Sequence, residues 1–344
     1  MATLAFATPS MADDRYAAIV MNARTGEVLL EDQADEGRYP ASLTKIMTLY
    51  MIFEALERGE ITMDTRWTAS RNAAGQPPSR LGLRRGDVIT VEQAIRALVV
   101  QSANDVAVLV AENMGGSQAR FCANMTARAR ELGLTETRFV NASGLPDPNQ
   151  RTTARDMARL GQRIWADFPE YYHFFQTAEN TYRRAYGRNH NRLLGAVEGV
   201  DGIKTGYTRA SGFNLVSAAE RNGERVIVVV MGGETSAARD AQVTYLIDGA
   251  FEEYARRMDP NAASYANLPT NRLDVQLAPS VLNGQPAGTN VTRVTSAPGG
   301  SSALPYASYQ SRVIETLAPR TPGDAPIGQG DDASTEEDEE AAAQ

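Results

Sequence analysis

Residues 212–231 read GFNLVSAAERNGERVIVVVM and contain two apolar runs separated by a short polar stretch. The runs cover residues 212–219 and 225–231, and the second is rich in the β-branched residues that favour strands. Asn222 and Gly223 lie between them, and an Asn-Gly pair in that place is a strong hairpin signal. We therefore expect an antiparallel strand pair late in the chain.

A second strand pair is predicted near the start of the chain. Residues 16–22 (YAAIVMN) and 27–30 (EVLL) flank the sequence ARTG, in which Gly26 suits a turn. The middle of the chain shows helical spacing instead. Strands at both ends around a helical insert predict one sheet assembled from both termini, which is an α+β plan with a helical subdomain.

Capping residues divide the helical middle into separate helices. Apolar residues recur at helical spacing from Leu43 to Phe53, and Gly59 ends that pattern. Thr90, Ser117 and the sequence TARD at 153–156 predict the starts of further helices. The remaining helices are expected at about residues 91–100, 105–113, 118–132, 154–165 and 238–257.

The composition is that of an ordinary globular protein. The 344 residues are 42% hydrophobic and 22% charged, and no apolar run is long enough to predict a membrane-spanning helix. Cys122 is the single cysteine, so no internal disulfide can form. His173 and His190 are the only histidines, which excludes a multi-histidine metal site, and we expect neither metal nor cofactor.

The negative charge is concentrated at one end of the chain. The net charge is −8, and residues 331–340 (DDASTEEDEE) carry seven of the acidic groups without a basic one. The rest of the chain is therefore close to neutral. It shows no basic patch, which argues against a nucleic-acid partner.

Both termini differ in character from the body of the chain. Residues 1–12 (MATLAFATPSMA) end in small residues, as a secretory signal does, and we expect a signal remnant there. The folded unit is predicted at 13–257. Residues 258–344 are expected to form a low-complexity, disordered tail with an acidic end, which offers no amphipathic face as a clear membrane anchor.

The two lysines are the first places to look for chemistry. The chain has Lys45 and Lys204 as its only lysines among 34 basic residues, so arginine fills the other cationic positions. Arginine cannot accept a proton near neutral pH, whereas a buried lysine can. In SLTK at 42–45, Ser42 and Lys45 share one face of a helix, which allows a neutral amine to activate the hydroxyl.

Two further short motifs carry polar groups suited to a peptide-like ligand. SAN at 102–104 lies between two helices, where a serine can relay a proton and an asparagine can donate and accept hydrogen bonds. KTG at 204–206 precedes the late strand pair, and its glycine would leave room for a substrate backbone along a strand edge. Each motif alone fits an ordinary cap or turn.

Together the three motifs resemble the set found in serine penicillin-interacting enzymes. PASLTK at 40–45, NASGLP at 141–146, TARDMA at 153–158 and DGIKTG at 201–206 look like the D-alanyl-D-alanine carboxypeptidase family. The resemblance covers about residues 16–257. It implies the α+β, β-lactamase/transpeptidase-like fold, in which an antiparallel sheet is flanked by helices and the site lies beside a helical subdomain.

The resemblance also implies the catalytic roles. Ser42 would be the acylated nucleophile, Lys45 its base, and Ser102 the group that passes the proton to the leaving amine. Lys204 would help to keep Lys45 neutral. The backbone N–H groups of Ser42 and Tyr207 would form the oxyanion hole.

The remaining roles implied by the resemblance concern substrate binding. Asn104 would hold the substrate's peptide group, and Lys204 would attract its terminal carboxylate. Thr205 would donate a hydrogen bond to that carboxylate, beside Gly206. The implied partners are peptidoglycan stem peptides, with β-lactams as covalent inhibitors, and the implied location is periplasmic or otherwise outside the cytoplasm.

One departure and several alternatives accompany this interpretation. Some relatives carry a histidine where this chain has Ser143, so a deacylating role cannot be transferred there. The expected activity is removal of the terminal D-alanine. A DD-endopeptidase, a class A-like β-lactamase and a non-catalytic sensing module are the alternatives, although no E-x-x-L-N pattern supports the lactamase.

Overall fold

The structure of the protein is a computed structural model that describes residues 15–183 and 185–258. The expected signal remnant at 1–12 lies outside the described residues. So does the expected tail at 258–344, except for its first residue, Met258, which ends the last helix. The chain folds into strands β1 Ala17–Asn22, β2 Val28–Asp32, β3 Arg66–Thr68, β4 Val88–Thr90, β5 Glu179–Tyr182, β6 Ala185–Arg188, β7 Val200–Thr208, β8 Gly212–Arg221 and β9 Glu224–Gly233.

The helices occupy the middle and the end of the described chain. Two short 3-10 helices, Ala41–Leu43 and Tyr172–Gln176, lie among them. The α-helices are α1 Thr44–Glu57, α2 Arg71–Ala74, α3 Val91–Val100, α4 Asn104–Gly115, α5 Gln118–Glu131, α6 Ala154–Asp167 and α7 Ser236–Met258.

Five strands form one antiparallel sheet in the order β2-β1-β9-β8-β7. The hairpin predicted from residues 212–231 is confirmed as β8 and β9. Asn222 and Gly223 both adopt positive φ, +52° and +80°, as the favoured two-residue hairpin turn requires. Because β1 pairs with β9, the sheet combines the two ends of the described chain, as predicted.

The sheet is buried on both faces. Successive side chains of β9 point to opposite faces. Ile227 and Val229 pack with the helical middle of the chain, whereas Val226, Val228 and Val230 pack with α7. This double burial explains why the β9 sequence is continuously apolar rather than alternating.

The predicted caps set the starts of three helices. Thr90 and Gln93 exchange hydrogen bonds in a capping box, and α3 occupies the predicted residues. Ser117 caps α5. Thr153 accepts from the backbone N–H of Asp156, but the Asp156 carboxylate accepts from the 136–137 loop, so the predicted reciprocal box is not made there.

Five of the strands were not predicted. No strand was expected at residues 200–208, yet they form β7, the nine-residue edge strand of the sheet. The strand pair β3–β4, whose strands are separated by residues 69–87, and the short β5–β6 hairpin were also missed. The second of these packs on Gln101, because Asn180 Nδ2 donates to Gln101 Oε1 at 2.8 Å.

Within residues 15–183 and 185–258, none of the helices combines the length and apolar character needed to cross a membrane.

Candidate active site

Ser42 lies in a tight turn that leads directly into α1. It belongs to the 3-10 helix Ala41–Leu43, and it is half-buried between neighbours that are fully buried. Ala41 has a φ of +48°, a conformation that non-glycine residues rarely adopt. Such strained residues persist only where the surrounding structure fixes them, and they cluster at functional sites.

The amine of Lys45 is the centre of a buried polar cluster. Lys45 has no solvent exposure, and its Nζ lies 3.0 Å from Ser42 Oγ. The same Nζ lies 2.8 Å from Asn104 Oδ1 and 2.6 Å from the carbonyl oxygen of Ser143. Both of these oxygens are acceptors only, so they take two of the N–H groups of the amine. The third direction of the nitrogen faces the Ser42 hydroxyl.

The SAN motif lies at the start of α4, on the other side of Lys45. Asn104 Nδ2 donates to the carbonyl oxygens of Pro77 and Pro78 at 3.1 and 3.0 Å. The carboxamide thus holds both the amine and a neighbouring loop. Ser102 has a φ of +55°, and its Oγ is buried without a hydrogen-bond partner within the described residues. A buried hydroxyl of this kind is destabilising unless another group comes to satisfy it.

The KTG motif lies on the edge strand β7, against the Ser42 turn. Lys204 is buried, and its Nζ donates to the carbonyl oxygen of Thr205 at 3.0 Å. Thr205 Oγ1 is a second buried hydroxyl with no hydrogen-bond partner among the described residues. Tyr207 is half-buried and stacks on Phe213 of β8, with ring centroids 4.2 Å apart.

Gly206 is required for a steric reason that was not predicted. A Cβ atom at this position would lie 2.9 Å from the backbone nitrogen of Ser42 and 3.1 Å from that of Leu43. Real Cβ atoms essentially never come within 3.0 Å of another atom, and contacts of 3.0–3.4 Å are rare. The glycine therefore lets β7 contact the nucleophile turn itself, and the expected room for a substrate backbone along the strand edge stays a prediction.

The NASGLP loop at residues 141–146 contributes a carbonyl oxygen and a close backbone contact to the site, and neither was predicted from the sequence. Besides the Ser143 carbonyl contact, Gly144 packs on the Ser42 turn so tightly that a Cβ would come 1.8 Å from the Ala41 carbonyl oxygen. Asn141 Oδ1 accepts from the Gly144 N–H at 2.7 Å and fixes the loop. The Asn-to-Gly spacing in NASG was the available signal for this turn.

A network of charges and aromatic rings holds the start of β7. Arg225 Nη2 lies 2.6 and 2.5 Å from the two carboxylate oxygens of Asp201, and its Nη1 lies 2.9 Å from Glu220. The guanidinium also stacks over Trp165 and Tyr172, 5.0 Å from each ring centroid. Burial raises the pKa of Asp201, and the adjacent Arg225 opposes that rise.

A cavity of about 250 Å³ adjoins the nucleophile turn. It is mainly apolar, and its lining includes Tyr39, Pro40, Leu145, Pro146 and Thr208. The His173 ring stacks on Phe174 in the second 3-10 helix, and its Nδ1 lies 2.8 Å from the Glu170 carbonyl oxygen.

The structure thus brings three distant stretches of the chain together around one hydroxyl. A family profile described as D-alanyl-D-alanine carboxypeptidase matches residues 6–235. The chain belongs to this family. The resemblance drawn from the sequence motifs is therefore confirmed.

Two curated members of the D-alanyl-D-alanine carboxypeptidase family are clear relatives. DacF of Bacillus subtilis (strain 168) is 35% identical over 251 residues, which are 72% of this chain and 64% of that protein. DacC of Escherichia coli (strain K12) is 38% identical over 245 residues, which are 69% of this chain and 61% of that protein. The chain therefore spans less than two thirds of the length of these relatives.

A solved structure carries the same fold. Penicillin-binding protein D2 from Listeria monocytogenes, in its ampicillin-bound form, is 30% identical to this chain. It covers 71% of this chain and 100% of its own, with a TM-score of 0.63. The predicted penicillin-interacting α+β fold is confirmed by this likeness.

Proposed function

We propose that the chain is a serine D-alanyl-D-alanine carboxypeptidase, which removes the terminal D-alanine from peptidoglycan stem peptides outside the cytoplasm. The observation that carries the proposal is the 3.0 Å contact between Lys45 Nζ and Ser42 Oγ. Asn104 Oδ1 and the Ser143 carbonyl oxygen accept N–H groups of Lys45, and in the neutral form of the amine that the reaction requires, its lone pair accepts the Ser42 proton. Membership of the family supports the same reaction.

The first half of the reaction forms an acyl-enzyme. Ser42 Oγ attacks the carbonyl carbon of the penultimate D-alanine while its proton moves to Lys45 Nζ. The backbone N–H groups of Ser42 and Tyr207 stabilise the negative oxygen of the tetrahedral intermediate. The carbon–nitrogen bond then breaks, and Ser102 relays a proton to the departing amine. The buried Ser102 hydroxyl has no other partner in the described part of the chain, which supports this role.

Substrate recognition and deacylation complete the cycle. Lys204 supplies positive charge, and Thr205 donates its hydroxyl, which has no partner among residues 15–183 and 185–258, to the terminal carboxylate. Asn104 Nδ2 already donates to the Pro77 and Pro78 carbonyl oxygens, so Asn104 contacts the peptide group next to the scissile bond through the second lone pair of Oδ1. A water molecule then hydrolyses the ester on Ser42 and regenerates the free hydroxyl.

The same chemistry makes β-lactams covalent inhibitors of the protein. A β-lactam presents a strained amide to Ser42, and opening of its ring leaves a stable ester. Penicillin-binding protein D2, named for this property and solved with ampicillin, supports the extension. We therefore expect a stable penicilloyl adduct on this chain.

Mass spectrometry of the intact chain after penicillin treatment tests the proposal, with the modified peptide mapped. We expect one adduct on Ser42, none in Ser42→Ala, and almost none in Lys45→Arg, because arginine keeps the charge but cannot accept the proton. Ser117→Ala is the matched control, since it removes a helix cap at the start of α5 and keeps the nucleophile.

Release of D-alanine from a pentapeptide is the second measurement. Stable labelling together with D-alanine release supports the carboxypeptidase. Rapid loss of the adduct without D-alanine release would indicate a lactamase, and cleavage of cross-linked dimers alone an endopeptidase. Labelling without any peptidase activity would indicate a sensing module.

A further inference from the structure

Asn214 is a fully buried polar residue of β8. Its side chain contacts the backbone of the residues that precede Ser42. Its Nδ2 donates to the carbonyl oxygens of Tyr39 and Pro40, at 3.1 and 3.3 Å. Its Oδ1 accepts from the backbone N–H of Gly232 on β9, at 3.0 Å. The carboxamide therefore joins two strands of the sheet to the segment that enters the nucleophile turn.

The bonds of Asn214 fall where the backbone is most constrained. Pro40 immediately precedes Ala41, the residue with a φ of +48°. The Pro40 carbonyl oxygen also accepts from the Leu43 N–H, at 3.1 Å, which closes the turn around Ser42. Asn214 lies directly opposite Gly206 in the β7–β8 pairing, so the two residues meet the turn from adjacent strands.

We propose that Asn214 is a positioning residue for acylation. It holds the Tyr39 and Pro40 carbonyl groups so that the turn keeps Ser42 Oγ within reach of Lys45. The inference rests on the proposed function, because it concerns the step in which Ser42 becomes acylated. A buried strand residue that served only to pack would not need both amide hydrogens and the amide oxygen in fixed directions.

The donor and acceptor pattern makes an aspartate at position 214 an informative replacement. An ionised carboxylate has no hydrogen to donate and would face two carbonyl oxygens. A protonated carboxyl group keeps one donor and one acceptor. Among the charged groups, Arg239 of α7 donates to the Asn214 carbonyl oxygen at 3.2 Å and pairs with Asp240.

The other elements packed around this region carry further cations. The segment before the turn presents Tyr39, whose ring is covered by the guanidinium of Arg151 at 3.7 Å. Strand β7 presents Gly206 at this register and carries the buried Lys204 two residues earlier, and α1 beyond the turn carries the buried Lys45. The wild type contains all of these groups, so comparison with it at each pH isolates the protonation of the new carboxyl group.

The test is the rate of penicillin acylation, separated into the binding constant and the first-order acylation step, from about pH 8 to about pH 5. In Asn214→Asp at the upper pH we expect an acylation step slower by about tenfold to a hundredfold, because small misplacements of reacting groups have effects of this size. The binding constant should stay within about twofold. Relative to the wild type at the same pH, the variant should recover as the pH falls.

Asn22→Asp is the matched control, since it makes the same change at another buried asparagine of the same sheet. It should lower the melting temperature without changing the acylation step or its pH profile. An Asn214→Asp profile that is parallel to the wild type would overturn the inference. If the aspartate variant does not fold at the upper pH, Asn214→Ala replaces it, and an unchanged acylation step there overturns the inference too.

The outcomes for the wild type keep the two proposals apart. If wild-type chain is not acylated at Ser42 at all, the proposed function fails and this inference fails with it. If wild-type chain is acylated and Asn214→Asp reacts equally fast at every pH, only the role of Asn214 is refuted.

Discussion

Gly206→Ala is the substitution for which the structure predicts the most specific effect. The added Cβ would lie 2.9 Å from the Ser42 nitrogen, 3.1 Å from the Leu43 nitrogen and 3.2 Å from the Pro40 carbonyl oxygen. All three neighbours are backbone atoms, so no side chain can rotate away. Either β7 or the nucleophile turn must move by several tenths of an ångström.

The expected magnitude follows from that displacement. Inserting a methyl group into a packed site destabilises a protein by about 1–3 kcal/mol. A displacement of about 1 Å at reacting groups lowers rates by about a hundredfold, so a smaller shift of Ser42 away from Lys45 should slow acylation by about tenfold. The free energy of unfolding should fall and the acylation step should slow in the same variant.

Stopped-flow acylation by a fluorescent penicillin and urea unfolding measure the two effects. Gly249→Ala on α7 is the matched control, because a Cβ there meets no atom within 4 Å. That control should keep its acylation rate and gain up to about 1 kcal/mol from helix propensity. Wild-type acylation by Gly206→Ala would show that β7 does not fix the position of Ser42, and the reasoning would be wrong.

Three further outcomes are expected elsewhere in the molecule. Burial raises the pKa of the Cys122 thiol to about 12, so an aromatic disulfide reagent at mild alkaline pH should modify it only after denaturation, and rapid reaction of the folded chain would contradict its burial. Asp201→Asn should lower the free energy of unfolding by about 2–3 kcal/mol, because it weakens the principal partner of the buried Arg225, and an unchanged urea midpoint would contradict this. The Arg183 guanidinium lowers the pKa of Asp87, so this carboxylate stabilises the fold above its ordinary pKa and loses that effect as the pH falls through the lowered value. The small stability difference between wild type and Arg183→Met should therefore vanish in acid, and a difference that persists there would refute the ion pair as its source.

Local sequence signals predicted much of the fold correctly. The Asn222-Gly223 hairpin and the Thr90 and Ser117 caps depend on a few neighbouring residues, and each of them formed as expected. The α+β class followed from strands at both ends of a helical insert. These features could be predicted because their physical causes lie within a few residues of one another.

The missed elements depend on distant partners. The β7 sequence VDGIKTGYT contains two glycines and a lysine, which disfavour a strand, and it becomes one through pairing with β8. The β5–β6 hairpin is formed from short polar segments that carry no strand pattern. Tertiary contacts therefore overrode local propensity in both places.

The candidate site divides in the same way. The motifs placed Ser42 and Lys45 correctly on neighbouring turns, since their spacing alone sets that geometry. The Ser143 carbonyl contact could not be predicted, because a backbone oxygen leaves no mark in the residue type. The close approach of β7 to the Ser42 turn at Gly206 could not be predicted, because the atoms that exclude a side chain there belong to residues more than 150 positions earlier.

The order of strands links chemical competence to completion of the polypeptide during synthesis. Strand β1, made early, must wait for β9, and the turn around Ser42 is braced by Gly206, made about 160 residues later. When only the first half of the chain has been synthesised, the SLTK motif is already present, but β9 and Gly206, which hold its turn in place, are not. We therefore expect penicillin to acylate chains that include β7, β8 and β9, and not fragments that end before these strands.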